Sequence, residues 1–276
     1  MLRQRAVSAA VLVPPLLAAL FLGGPWIVAI VVVTTALAAR ETFELLTSAG
    51  YPSLSLLGIV FAIALTLDAA IVPAIELSGV LLVAIGTILA AVGAFTKIDP
   101  REGLPTWFAT VFGAFYASLL AFVLRLGHDA PPIVGGAPLA AIGPDRAWIL
   151  LLVLAVWAYD TGAYALGKRY GRRKFLSHIS PSKTYAGLIG GIAAATAVTA
   201  LVFAGLARSP LEALVVGPLV ALAAQAGDLA ESMLKRAAGA KDSGTLIPGH
   251  GGILDRVDSF LFAAPVLALY VLATAG

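Results

Sequence analysis

The sequence predicts an all-α fold, a polytopic membrane helical bundle of about nine transmembrane helices with a cytoplasmic N-terminus. Three observations carry that expectation. Of 276 residues, 60% are hydrophobic and only 12% charged, with a mean hydropathy of +0.98. A soluble domain carries about 25% charged residues, so apolar surface on this scale has to face lipid. Apolar runs of about 20 residues, the length that crosses a hydrocarbon core of roughly 30 Å, recur along the chain. The Lys and Arg residues, finally, gather in alternate loops rather than in all of them.

The expected spans, in order, are 6–24, 25–39, 54–72, 76–96, 104–126, 147–167, 184–207, 211–230 and 253–274. The first follows Arg3 and Arg5 in the manner of a signal peptide. No small-residue cleavage site precedes a polar start, so a retained span is expected. The second is short, and the break at Gly23, Gly24 and Pro25 reads as either a turn or a kink. With the N-terminus in the cytoplasm, that side holds Arg3, Arg5, Arg40, Lys97, Arg101, Lys168, Arg169, Arg172, Arg173, Lys174, Lys183, Lys235, Arg236, Lys241 and Arg256, while the other holds Arg125, Arg146 and Arg208. That is 15 against 3 of the 18 cations. One span more or fewer would scatter them over both sides, so the count and the orientation support each other. The loop 127–146, rich in Gly, Pro and Ala, is expected to be a flexible connector. The chain divides into N-terminal transmembrane helices (1–103), a middle helix with the outer loop (104–146) and a C-terminal catalytic region (147–276). It has no cysteine, which excludes disulfides, thiolate metal sites and cysteine nucleophiles.

Two polar segments do not read as ordinary loops. The first runs from Trp157 through Asp160-Thr161-Gly162-Ala163-Tyr164 and the cations Lys168 to Lys174 to Ser180-Pro181-Ser182-Lys183-Thr184. Asp160 lies inside an expected span, where a carboxylate is costly and faces a polar cavity or a partner. Ser, Lys and backbone N–H groups at the start of a helix make a phosphate cradle. For Lys168 and Arg169 the plainer explanation, that they obey the positive-inside rule, is the better one.

The second segment holds Asp228, Glu231, Asp242, Asp255 and Asp258 among Lys235, Arg236, Lys241 and Arg256. On a helix, Asp228, Glu231 and Lys235 share a face at i, i+3 and i+7, and Asp255 and Asp258 do so at i, i+3. Carboxylates gathered at one helix end and the next helix start can take a hard cation. Mg²⁺ uses one or two carboxylates together with phosphate and water oxygens. Interfacial ion pairing would account for the acids and bases but not for Gly249-His250-Gly251-Gly252, where glycines point to close backbone approach to a ligand. His250 fits a phosphate-binding or loop-organising role, while His128 and His178 fall outside the chemistry.

The strings Ser232-x-Leu234-Lys235-Arg236, Lys241-Asp242-x-Gly244, Ile247-Pro248-x-His250-Gly251-Gly252 and Asp255-Arg256-Val257-Asp258 together resemble the signature of the phosphatidate cytidylyltransferases, or CDP-diacylglycerol synthases. Asp160-Thr161-Gly162-Ala163-Tyr164 and Ile179-Ser180-Pro181-x-Lys183-Thr184 match it as well. The resemblance is carried by residues 157 to 259; before residue 150 it rests on hydropathy and length. One departure is visible: Lys183-Thr184 continues as Tyr185-Ala186-Gly187 where the family commonly has Trp-Glu-Gly, which leaves no essential role for that glutamate.

The resemblance implies a nucleotidyltransferase in phospholipid biosynthesis. Its reaction is CTP plus phosphatidic acid giving CDP-diacylglycerol and pyrophosphate, with Mg²⁺, a candidate second cation K⁺, and a homodimer. The expected catalytic set is Asp228, Lys235, Asp255, Arg256, Asp258 and His250. Asp228 and Asp255 are expected to hold the metal, with Asp258 and Asp160 as further ligands or supports. Lys183, Lys235, Arg236, Lys241 and Arg256 are expected to hold phosphates, Ser180, Ser182 and Thr184 to donate hydrogen bonds to them, and Gly251 and Gly252 to admit them. The expected setting is a bacterial plasma membrane with the site facing the cytoplasm. Two competing readings are a related CTP-dependent transferase with another lipid phosphate acceptor, and a transporter. Against transport, the charges gather at one face and no inverted repeat is present.

Overall fold

The computed structural model describes residues 14–15, 17–71, 77–247 and 251–274. After a helical stretch at 17–22, nine helices follow among them: α1 (Pro25–Ser48), α2 (Ser55–Asp68), α3 (Ser78–Ala94), α4 (Pro100–Ser118), α5 (Ala121–His128), α6 (Pro144–Tyr170), α7 (Tyr185–Gly205), α8 (Ala213–Ala237) and α9 (Leu254–Thr274). No strand occurs among the described residues, only two isolated bridges, Lys174 with Thr184 and Ile247 with Gly251.

Among the described residues six stretches are long and apolar enough to cross a membrane: α1, α4 with α5 as one 29-residue run, α6, α7, α8 with the turn before it, and α9. They correspond to six of the nine expected spans: 25–39, 104–126, 147–167, 184–207, 211–230 and 253–274. The third and fourth spans form helices of 14 and 17 residues, about 21 and 26 Å at 1.5 Å per residue, short of a 30 Å core. Of the expected first span, residues 6–13 and 16 lie outside the described residues, and 17–22 are helical. The turn reading holds at Gly23 and Gly24, whose φ values of 72° and 45° leave the helical region before Pro25 opens α1. The second span is longer than expected, because α1 continues through Arg40, Glu41 and Glu44 to Ser48.

The chain forms two compact units, Met1–Leu124 with Leu234–Val257, and Arg125–Met233 with Asp258–Gly276. In the first, α1, α2 and α4 surround a core of Ala39, Phe43, Leu46, Phe61, Ala62, Ala109, Ala114 and Ala117. The Phe43 ring fills the space left by Gly58 and Gly113, where a Cβ would overlap it. Small residues opposite a large ring let helix backbones approach where lipid offers no hydrophobic drive to association.

In the second unit α6 and α7 meet along small residues. A Cβ on Gly162 would lie 2.6 Å from the Gly190 carbonyl oxygen, and one on Gly191 2.5 Å from the Tyr159 ring. Gly227 of α8 likewise faces the Asp258 carbonyl, which an added Cβ would overlap. Arg208 stacks within 5.6 to 5.8 Å of the Trp148, Tyr270 and Phe203 ring centroids and bonds Glu212 at 2.8 Å, pinning the α7–α8 turn. The loop expected to be a free connector is held in part: Leu139 donates to the Gly205 carbonyl at 2.9 Å beside a short 3₁₀ turn.

Candidate active site

Each unit holds one lysine–aspartate pair, and the motif residues arrange themselves around these two pairs.

In the second unit, the segment between α6 and α7 folds back on itself. Phe175 N–H donates to the Lys183 carbonyl (3.3 Å) and Tyr185 N–H to the Arg173 carbonyl (3.1 Å). Lys174 Nζ reaches the Pro181 carbonyl at 2.6 Å. Thr184 caps α7, its hydroxyl accepting from Gly187 N–H at 3.1 Å. This clasp fixes Lys183, whose ammonium pairs with Asp228 Oδ2 of α8. Ser232, one turn on, lies 3.4 Å from Asp228 Oδ1, a long and weak contact. Ser180 is buried within the clasp, whereas Ser182 is exposed. Deeper in the helices, Tyr159 donates to Gln225 Oε1 at 2.5 Å. Asp160, on α6, and Asp258, half-buried with Ser259 N–H on its Oδ1 at 2.6 Å, belong to this unit too.

In the first unit the Asp255 carboxylate is almost fully engaged. Its Oδ2 accepts Ser243 N–H, Ser243 Oγ–H and Gly252 N–H, each at 2.8 Å. Its Oδ1 receives Lys235 Nζ at 2.6 Å, and the side chains of this pair are 12% and 9% exposed. Gly251 needs its φ of 82°, and a Cβ there would overlap Asp255 Oδ2. A Cβ on Gly252 would overlap both the Glu41 carboxylate and Ser243 Oγ. The close approach that these glycines permit is therefore to the protein's own carboxylates. Arg236, Lys241 and Arg256 are exposed, and Arg236 Nη1 bonds the Ala240 carbonyl at 3.1 Å. His250 lies outside the described residues, as do Pro248 and Gly249.

Among the described residues no three His, Asp or Glu side chains converge in the manner of an all-protein metal cage. Mg²⁺ does not need one, since one or two carboxylates suffice when phosphates and water complete the shell. The carboxylates fit that role. A carboxylate oxygen has two lone pairs; Asp255 Oδ2 is saturated by its three donors, but Oδ1 has capacity beside Lys235. Among the described residues Asp228 Oδ1 carries only the weak Ser232 contact.

One site residue escaped the sequence reading altogether. Glu41 of α1 is 5% exposed and accepts Ile253 N–H (3.0 Å), Leu254 N–H (2.8 Å) and Ser243 Oγ–H (3.0 Å). The available signal was an acid in an apolar helix, the rule applied to Asp160. The apparent end of the span at residue 39 moved Glu41 into a loop and hid it.

Residues 3–274 match the model of the family described as the cytidylyltransferase family. A phosphatidate cytidylyltransferase of Synechocystis is 34% identical over 288 aligned positions, covering 97% of this chain and 96% of the relative. One of Bacillus subtilis is 46% identical over 123 positions, 44% of this chain and 45% of the relative. One of Brucella suis is 42% identical over 160 positions, 57% and 55% of the two chains.

Proposed function

The chain belongs to the cytidylyltransferase family, and from that premise we propose that it is a phosphatidate cytidylyltransferase, a nucleotidyltransferase of phospholipid synthesis embedded in the membrane by several passes. The observation that carries this is the near-end-to-end similarity to the Synechocystis phosphatidate cytidylyltransferase. The two lysine–aspartate pairs supply chemistry suited to it.

A phosphate oxygen of phosphatidic acid attacks the α-phosphorus of CTP. A new P–O bond forms to the lipid phosphate, the α–β bridging P–O bond breaks, and pyrophosphate leaves with its electron pair. The attacking oxygen is already an anion, so no strong base is needed. The barrier is the gathering of negative charge, and the remedy is fixed cations aimed at the phosphates. Lys183 has three N–H donors and spends one on Asp228; the others are offered to phosphate oxygens. Asp228 and Asp255 thus act as holders of lysines, which stay oriented before substrate arrives. Exposed Arg236, Lys241 and Arg256 add charge for the triphosphate, and Ser180, Ser182 and Thr184 contribute hydroxyl donors beside Lys183. Gly251 and Gly252 let the Asp255 and Glu41 carboxylates close on the backbone, which holds Asp255 in place beside Lys235.

We assign Mg²⁺ to Asp228 in the second unit, with Asp258 and Asp160 as additional carboxylates there, and to Asp255 in the first, with K⁺ as a candidate second cation. When bound, the metal neutralises charge on the transferring and leaving phosphates. His250 is assigned to phosphate binding or loop organisation. The distribution of Lys and Arg supports a cytoplasmic N-terminus and site in a bacterial plasma membrane, and the family resemblance supports a homodimer.

The acceptor is tested by offering purified enzyme phosphatidic acid and a prenyl phosphate side by side with CTP and Mg²⁺. Pyrophosphate release with phosphatidic acid alone is expected, and removal of the metal with EDTA should abolish it until Mg²⁺ is restored. Release only with the prenyl acceptor would replace the assigned substrate.

A further inference from the structure

Glu41 is a carboxylate on a helix long and apolar enough to cross a membrane, and its bonded partners among the described residues are two backbone N–H groups and a hydroxyl. Burying such a group is costly unless hydrogen bonds replace its hydration. Here Oε1 takes the Ile253 N–H, and Oε2 takes the Leu254 N–H and the Ser243 hydroxyl. The two N–H groups are among those that open α9, groups that a helix leaves without intrahelical acceptors. The positive end of the helix dipole also favours an anion there. Ordinarily a neighbouring Ser, Thr or Asp supplies the cap. In this chain the cap comes from α1, 212 and 213 residues earlier.

The Ser243 hydroxyl joins this cap to the site. Its oxygen lies 3.0 Å from Glu41 Oε2 and 2.8 Å from Asp255 Oδ2, and it accepts Asp255 N–H at 3.2 Å. The hydroxyl has one proton for two carboxylates, so their positions depend on one another. Two glycines make room for Glu41: a Cβ at Gly244 would lie 2.7 Å from Oε1, and one at Gly252 would overlap Oε2.

We infer that Glu41 is a positioning residue for the transfer reaction, holding Ser243, Ile253 and Leu254 so that Asp255 and Lys235 keep their orientation through Ser243. The inference rests on the transferase reading. Glutamine at this position keeps the shape but turns an NH₂ group toward N–H donors, which pushes the segment away rather than unfolding α1.

The test is the steady-state kinetics of wild type, Glu41→Gln, Ser243→Ala, the double variant and the neighbouring control Arg40→Gln, each normalised to monodisperse protein with its thermal midpoint recorded. Misplacing reacting groups by about 1 Å costs on the order of 100-fold, so Glu41→Gln is expected to lower kcat about 10- to 100-fold with the KM for CTP within about threefold. Arg40→Gln should leave both constants unchanged, since Arg40 is an exposed partner of Glu44. Ser243→Ala should cost about fivefold alone and less than about twofold in the Glu41→Gln background, because the two act through one bond. A Glu41→Gln enzyme with kcat within twofold of wild type, or losses that simply multiply in the double variant, would overturn the inference. If Glu41→Gln cannot be recovered folded, an undiminished kcat in Ser243→Ala overturns it alone. A wild-type enzyme that makes no CDP-diacylglycerol would instead overturn the transferase reading, and this inference with it.

Discussion

At the scale of single residues, both aspartates that carry the proposed chemistry are bound to lysines. Part-buried pairs of this kind add little net stability, because attraction only offsets the loss of hydration, but removing one partner strands the other charge. At the Lys183–Asp228 pair, whose side chains are 23% and 20% exposed, water reaches a stranded partner, so substitution there is predicted to cost activity more than folding. Asp228→Asn should leave Lys183 without its anchor and lower kcat by about two to three orders of magnitude, the scale of losing one fixed electrostatic group. Membrane insertion and the elution profile should be unchanged. A variant retaining more than a tenth of wild-type turnover would remove Asp228 from the site. Gly252→Ala is the second case. Its Cβ would run into the Glu41 carboxylate and Ser243 Oγ, and overpacking of this kind costs about 1–3 kcal/mol. A lowered thermal midpoint with reduced activity is expected. An unchanged midpoint would mean that Glu41 does not sit against that glycine.

At the scale of elements, helix starts do most of the positioning. Thr184 caps α7 one residue after Lys183, so the cap and the lysine proposed to bind phosphate are set by the same turn. Losing a Thr cap costs about 1 kcal/mol. Thr184→Ala is accordingly predicted to raise the KM for CTP several-fold by loosening Lys183, while Thr184→Ser, which keeps the hydroxyl, should behave as wild type. Equal effects from both substitutions would assign the role to the methyl group instead. The elements also show what could be read in advance. Helix α6 through α9 followed from apolar runs of full membrane length, and the polar clusters at their ends were legible as residues whose charge is costly in lipid. The ends of helices did not follow. Hydropathy stops α1 at Arg40, yet the backbone continues to Ser48 because Arg40 pairs with Glu44 one turn on and Glu41 has buried partners of its own. Hydropathy likewise cannot separate a helix of 14 residues, as in α2, from the apolar turn residues that prolong the run. The glycines of the signature were legible as sites of close approach, but what approaches them is a carboxylate from a distant part of the chain, which no local pattern encodes.

At the scale of the whole molecule, the loops that join the apolar helices are too short to hold a folded domain of their own. A reaction between a water-soluble nucleotide and a lipid phosphate has to take place at the membrane face, where the cations and acids of this chain are concentrated in sequence. The most direct test uses the purified protein with phosphatidic acid, Mg²⁺ and CTP labelled in separate reactions at the α- or the γ-phosphate. The α-label is predicted to pass into the lipid phase as CDP-diacylglycerol while the γ-label stays in water as pyrophosphate. Transfer of the γ-label to lipid, or no lipid label from either CTP in a well-folded sample, would contradict the assignment of this chain as a cytidylyltransferase acting on phosphatidic acid.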